Sequence, residues 1–124
     1  MRNWHKHPNG GGLVQNTAYV AGTVYVGPDA RVFGKAQVYG NARIYGEAWV
    51  SGRALVCGIA RVYDKAWVSG EAQVCGDARV YGEAWVSGKA WVSDRARVYD
   101  DAQVYGEARV SDRAWVHGEA QVYE

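Results

Sequence analysis

An all-β prism of stacked parallel coils is the fold class this sequence predicts, on three observations. From Asn16 to Tyr123 the chain reads as 18 consecutive hexapeptides in one phase, of the form Gly/Asp-x-Ala-x-Val-x. The small slot, Ala18 to Ala120, departs from Ala only at Val24, and the aliphatic slot, Val20 to Val122, departs from Val only at Ile44. Twelve of the first positions are Gly and four are Asp (Asp64, Asp94, Asp100 and Asp112), residue types that tolerate a left-handed backbone.

The first element is an N-terminal cap over residues 1–15. Trp4, His5, His7, Pro8 and Gly10 to Gly12 break the pattern there, although Gly12 and Val14 are already in phase and can lead a partial coil into the cap. The repeat array then occupies residues 16–124. A helix cannot use its period, because six residues advance a helix by about 600° and scatter Val over several faces. In an extended segment Ala and Val two apart point to one side, the residue between them points away, and Gly or Asp turns the corner. Three such sides close a triangle of 18 residues. About six triangles stacked at about 4.8 Å make a triangular β-solenoid roughly 29 Å tall. One coil alone cannot offset the cost of ordering its backbone, so stability must come from stacking.

The aliphatic-to-small spacing of four residues, as in Val86 to Ala90 and Val92 to Ala96, resembles the signature of the hexapeptide-repeat left-handed β-helix proteins, and the likeness covers residues 16–123. Gly follows the aliphatic residue by two positions here, as in Val80, Tyr81, Gly82, where the family signature has it at one. That variant resembles the monotonous G-x-A-x-V-x subgroup of bacterial and phage-type proteins. The resemblance implies a single-stranded, left-handed parallel β-helix. It alone implies the handedness, since parallel crossovers are otherwise right-handed.

Positions 18 apart sit one above another, so the outward residues sort into columns. Trp49, Trp67 and Trp85 share one face, flanked by Ser51, Ser69 and Ser87. Arg43, Arg61, Arg79 and Arg97 share a second, flanked by Tyr45, Tyr63, Tyr81 and Tyr99. Trp91 lies on the third, in a mixed column with Gln37, Leu55, Gln73 and Arg109. Seven acids against two bases surround the Trp column, whereas six Arg against three Asp surround the Arg/Tyr column. The whole chain, with 14 basic and 13 acidic residues, has no overall bias toward nucleic acid or membrane.

Three indoles in a row exceed the apolar patch a monomer needs, and Trp is enriched at interface hot spots. Trp49, Trp67, Trp85 and Trp91 are therefore the candidate protein-binding residues of a non-enzymatic, rigid scaffold or docking inhibitor. A sugar platform is disfavoured because rings stacked at the coil spacing would present only edges. The alternative function is nucleic-acid or polyanion binding by Arg43, Arg61, Arg79, Arg97, Tyr45, Tyr63, Tyr81 and Tyr99; nucleic acid is not the preferred partner, because acids interrupt the face. The last coil keeps its inward Ala and Val, so an uncovered edge is expected at Trp115, His117 and Tyr123. It would be closed by a second copy in an end-to-end dimer, with a side-by-side trimer as the competing homo-oligomer.

Many members of the resembled family are acyltransferases, and some are zinc enzymes, with the working His on the coils. Here His5 and His7 lie in the cap and His117 in the last coil, roughly 29 Å away, and no insertion interrupts the repeats to shape a substrate pocket. An acyltransferase-like activity is the least favoured reading, and no metal or cofactor is expected. The start of the chain has no apolar core of a signal peptide and no run long enough to span a membrane, so the cytoplasm is the expected compartment. Cys57 and Cys75 should be vertical neighbours and, in that compartment, free thiols.

Overall fold

The computed structural model describes residues 3–123. Among these, β1 (Trp4–Lys6), β2 (Leu13–Gln15), β3 (Tyr19–Val20) and β4 (Tyr25–Val26) are followed by one two-residue strand per hexapeptide through Gln121–Val122. Each strand is the outward residue plus the inward Val or Ile of one repeat. Strands 18 residues apart pair in parallel, so Trp67 lies between Trp49 and Trp85, and Arg61 between Arg43 and Arg79. The result is three sheets: eight strands on the Trp side and six each on the Arg/Tyr and mixed sides. No helix among the described residues is long and apolar enough to cross a membrane.

The core is the inward face of the repeat. From Ala30 to Val104 every Ala and Val of the two inward slots, with Ile44, is at most 1% exposed. Backbone N–H groups reach the coil above, as Trp49 N–H to the Ala66 carbonyl and Trp67 N–H to that of Ala84, both 3.0 Å. A second bond closes most turns, for example Ala66 N–H to the Tyr63 carbonyl at 3.2 Å. Burial and backbone pairing thus come from the same stacking, which is why such an array is stable only as a whole.

The expected corner conformation holds at all 15 corners from Gly34 to Gly118, including Asp64, Asp94, Asp100 and Asp112 at φ of 58–59°. Three of the four Asp have a reason beyond tolerance. The Asp64 carboxylate accepts from Gly82 N–H, Asp94 from Asp112 N–H and Asp100 from Gly118 N–H, each at 3.1 Å. A corner Asp therefore satisfies the corner amide one coil above. Asp64→Ala should lose this bond while keeping the left-handed strain, costing about 1–3 kcal/mol; Asp64→Gly loses the bond but relieves the strain and should stay within about 1 kcal/mol of wild type. Thermal melts of the two variants check this, and an Asp64→Ala variant as stable as wild type would refute the capping role.

The N-terminal segment is a hairpin. β1 runs antiparallel to β2, while β2 already pairs in parallel with Arg31–Val32 and buries Val14, so the coil path begins at Leu13. The loop between the two strands folds over β4. Val26 N–H donates to the Asn9 carbonyl, the Val26 carbonyl accepts from Gly12 N–H, and His7 Nε2 donates to the Val24 carbonyl at 2.8 Å. Gly10 makes this approach possible, since a Cβ there would lie 2.2 Å from the Val26 carbonyl oxygen. The cap thus covers the first edges of the Trp and Arg/Tyr sheets. β3, the first strand of the mixed sheet, has Tyr19 exposed and Val20 half-buried.

One expectation is corrected. Cys57 and Cys75 are vertical neighbours, with Cα atoms 4.6 Å apart against the expected 4.8 Å or so, but they form a disulfide in place of free thiols. In-register stacking holds the two Cα atoms within bridging distance. The expectation of thiols gave the compartment more weight than this preorganisation.

Candidate functional site

Two outward surfaces carry the candidate residues, and the structure keeps them on separate sheets. On the Trp sheet, the one-coil register brings Trp49, Trp67 and Trp85 into a continuous column. Their rings are not stacked face to face. Trp49 and Trp67 are 5.4 Å apart at 81°, and Trp67 and Trp85 are 5.1 Å apart at 83°, the edge-to-face arrangement that suits the ring quadrupole. This corrects the expectation of a stack presenting only edges: in each pair at least one ring keeps a face free of its column neighbours. Ser51, buried beside the column, accepts a hydrogen bond from Trp67 Nε1 at 3.1 Å. Trp49 and Trp85 remain 40% and 48% exposed.

The aromatic line is longer than the sequence columns suggest. Phe33 meets Trp49 edge-on at 5.7 Å, and Trp4 of the cap lies 6.0 Å from Phe33. The signal for Phe33 was its place in the Ser column beside the Trp column. Trp4 had no such signal, because it lies on the antiparallel strand outside the repeat phase. Asp29, Arg31, Glu47 and Lys65 line a shallow groove with Trp49 and Trp67. Trp91 does not join this surface. It lies on the mixed sheet, 43% exposed, with the Arg109 guanidinium 4.9 Å from its ring centre.

The Arg/Tyr sheet is built differently. Tyr45, Tyr63, Tyr81 and Tyr99 stack nearly parallel, 4.8–5.0 Å apart at 1–4°, and His117 continues the stack on Tyr99 at 5.2 Å. Burial, with the neighbouring Tyr45 and Tyr81, raises the Tyr63 pKa above its usual 10.0. Because the folded value is the higher one, this contribution to stability is complete below pH 10.0 and is lost as pH rises through the folded value. Beside the stack, Arg43, Arg61, Arg79 and Arg97 occupy successive coils. Among the described residues the one ion pair is Arg95 with Asp77 at 3.9 Å, so none of the four column arginines has a carboxylate partner. Like charges one coil apart repel by about 1 kcal/mol in water and by several-fold more where solvent is partly excluded.

The last coil is the least covered. Trp115 is 60% exposed, Tyr123 and His117 are also exposed, and the inward Val116 and Val122 are only half-buried. The three histidines each have a local partner: His5 lies 2.7 Å from Asn16 Oδ1, His7 bonds Val24 and His117 stacks on Tyr99.

The fold and these columns define a β-solenoid repeat protein. Residues 36–52, 72–88 and 102–118 match a family model described as YdcK Beta solenoid repeat. Searches of curated proteins and of solved structures gave no match. The matched stretches each run from an inward Ala to a corner Gly and share the outward order Gln, Arg, Trp: Gln37, Arg43, Trp49; Gln73, Arg79, Trp85; Gln103, Arg109, Trp115. The first two are offset by 36 residues, two full coils, and the third by 30, one hexapeptide short. That slip rotates the pattern by one face. It ends the Trp column at Gln103 and sets Trp115 above Arg97, whose guanidinium lies 5.6 Å from the indole centre.

Proposed function

We propose that this chain is a non-enzymatic, rigid protein-binding scaffold of the hexapeptide-repeat, G-x-A-x-V-x type, and that the Trp sheet is its contact surface. The observation that carries the reading is the edge-to-face line of Trp49, Trp67 and Trp85, held by in-register strands, with Trp49 and Trp85 open to solvent and Trp67 half-buried between them. Preorganised aromatic side chains lose little entropy on binding and supply most of the energy at protein interfaces. Across the repeat coils of the Trp sheet acids outnumber bases seven to two, which suits a partner with an apolar centre and a basic rim.

The test compares wild type with Trp49→Ala/Trp67→Ala/Trp85→Ala as baits. The partner retained by wild type should bind the triple variant at least about 30-fold more weakly, because each hot-spot Trp is worth about 2 kcal/mol or more. Trp91→Ala, on another sheet, should bind like wild type. Undiminished binding by the triple variant, with its circular dichroism unchanged, would exclude the Trp sheet as the contact.

A further inference from the structure

The Trp sheet and the Arg/Tyr sheet are complementary to each other. Corner Asp aside, the repeat coils of the Trp sheet carry five acids against two bases, and those of the Arg/Tyr sheet carry six Arg against Asp77 alone. One column runs down the centre of each face. Trp49, Trp67 and Trp85 advance by one coil per residue on the first, and Arg43, Arg61 and Arg79 by the same step on the second. Arg97, the next in that column, already lies over Trp115. The other three have neither a carboxylate partner nor a ring contact among the described residues. They repel one another along the column, and an acidic surface laid on them relieves that repulsion.

The chain already uses the chemistry of such a contact within itself. Of the three places where paired strands set Arg beside Trp, two put the guanidinium over the ring, Arg109 on Trp91 at 4.9 Å and Arg97 on Trp115 at 5.6 Å. When two copies lie side by side, the centre of one face meets the centre of the other whether the axes run parallel or antiparallel. The Arg column of one copy then lies opposite the Trp column of the next. Both rows keep the coil step, so three arginines meet three indoles, and a partner without that period would fall out of step. The three lateral faces share most of the 6663 Å² surface, so one face offers more than the about 800 Å² per partner that a standard interface buries. We propose that the occupant of the Trp sheet is a second copy of this chain, docked through its Arg/Tyr sheet, with Arg43, Arg61 and Arg79 against Trp49, Trp67 and Trp85. This rests on the reading of the Trp sheet as a contact surface and amends the partner's layout, with the basic row central and the Tyr stack beside it. Because the two docking surfaces differ, a pair of copies leaves one of each unused, and the assembly grows beyond a dimer.

Analytical sedimentation of the full chain over a range of concentrations tests this. Wild type should form species larger than a dimer at low salt and dissociate as salt rises. Trp49→Ala/Trp67→Ala/Trp85→Ala and Arg43→Ala/Arg61→Ala/Arg79→Ala, with circular dichroism unchanged, should each associate at least about 30-fold more weakly. Glu47→Lys/Glu83→Lys, which keeps the indoles and reverses the charge beside them, should weaken association too, and Trp91→Ala should assemble like wild type. Mixed together, the two triple variants still offer one intact surface of each kind and should form a 1:1 dimer that grows no further. The proposal is overturned if wild type stays monomeric at high micromolar concentration and low salt, or if it stops at a dimer. It is equally overturned if a folded variant of either sheet assembles like wild type, or if the mixture of triple variants stays monomeric. A monomeric wild type that still retains a partner lost by the triple Trp variant would remove the second copy as occupant and leave the Trp sheet as the contact surface.

Discussion

Val86→Asp should unfold the central coils, at a cost of more than about 4 kcal/mol, while Trp85→Ala, one residue away, should cost about 1 kcal/mol. Val86 is fully buried between Val68 and Val104 of the adjoining coils. The core around it is Ala and Val, and the neighbouring backbone groups are committed to inter-coil bonds, so a carboxylate there finds no donor. Each coil touches only its neighbours, so the damage should start locally and separate the array into two short stacks. Thermal melts and hydrogen exchange read both effects, with protection lost first around residues 68–104. Equal destabilisation by the two substitutions would mean that the inward and outward assignment is wrong.

Reducing the Cys57–Cys75 disulfide should lower stability by about 3 kcal/mol, the chain-entropy value for a loop of this length. The two cysteines are 18 residues apart, one coil, so the bridge joins adjacent coils that also share a hydrogen-bonded ladder. Melting with and without reductant should shift wild type downward and leave Cys57→Ser/Cys75→Ser unmoved. No shift in wild type would show that the ladder alone constrains the pair. In the reducing cytoplasm expected from the sequence, the same pair would be held as thiols, so the redox state of protein isolated from its native compartment, trapped by alkylation, also reports where the chain works.

The two aromatic columns pack in opposite ways. The Tyr rings stack within 4° of parallel. Each Trp is flanked by a Ser, which leaves room for the indole to turn, and Ser51 fixes Trp67 by its N–H.

The sequence by itself determined the path of the backbone, the inward and outward residues, the left-handed corners and the membership of every column. It could do so because all repeats have one length, so position modulo 18 is position in space. Only the tertiary structure decided the ring orientations, the Cys57–Cys75 bridge, the bonds from corner Asp to the coil above and the hairpin that carries Trp4 to the head of the Trp line. Periodicity encodes where a Cβ lies; these features depend on which neighbouring side chain or non-repeating segment meets it there, a contact that no repeat phase specifies.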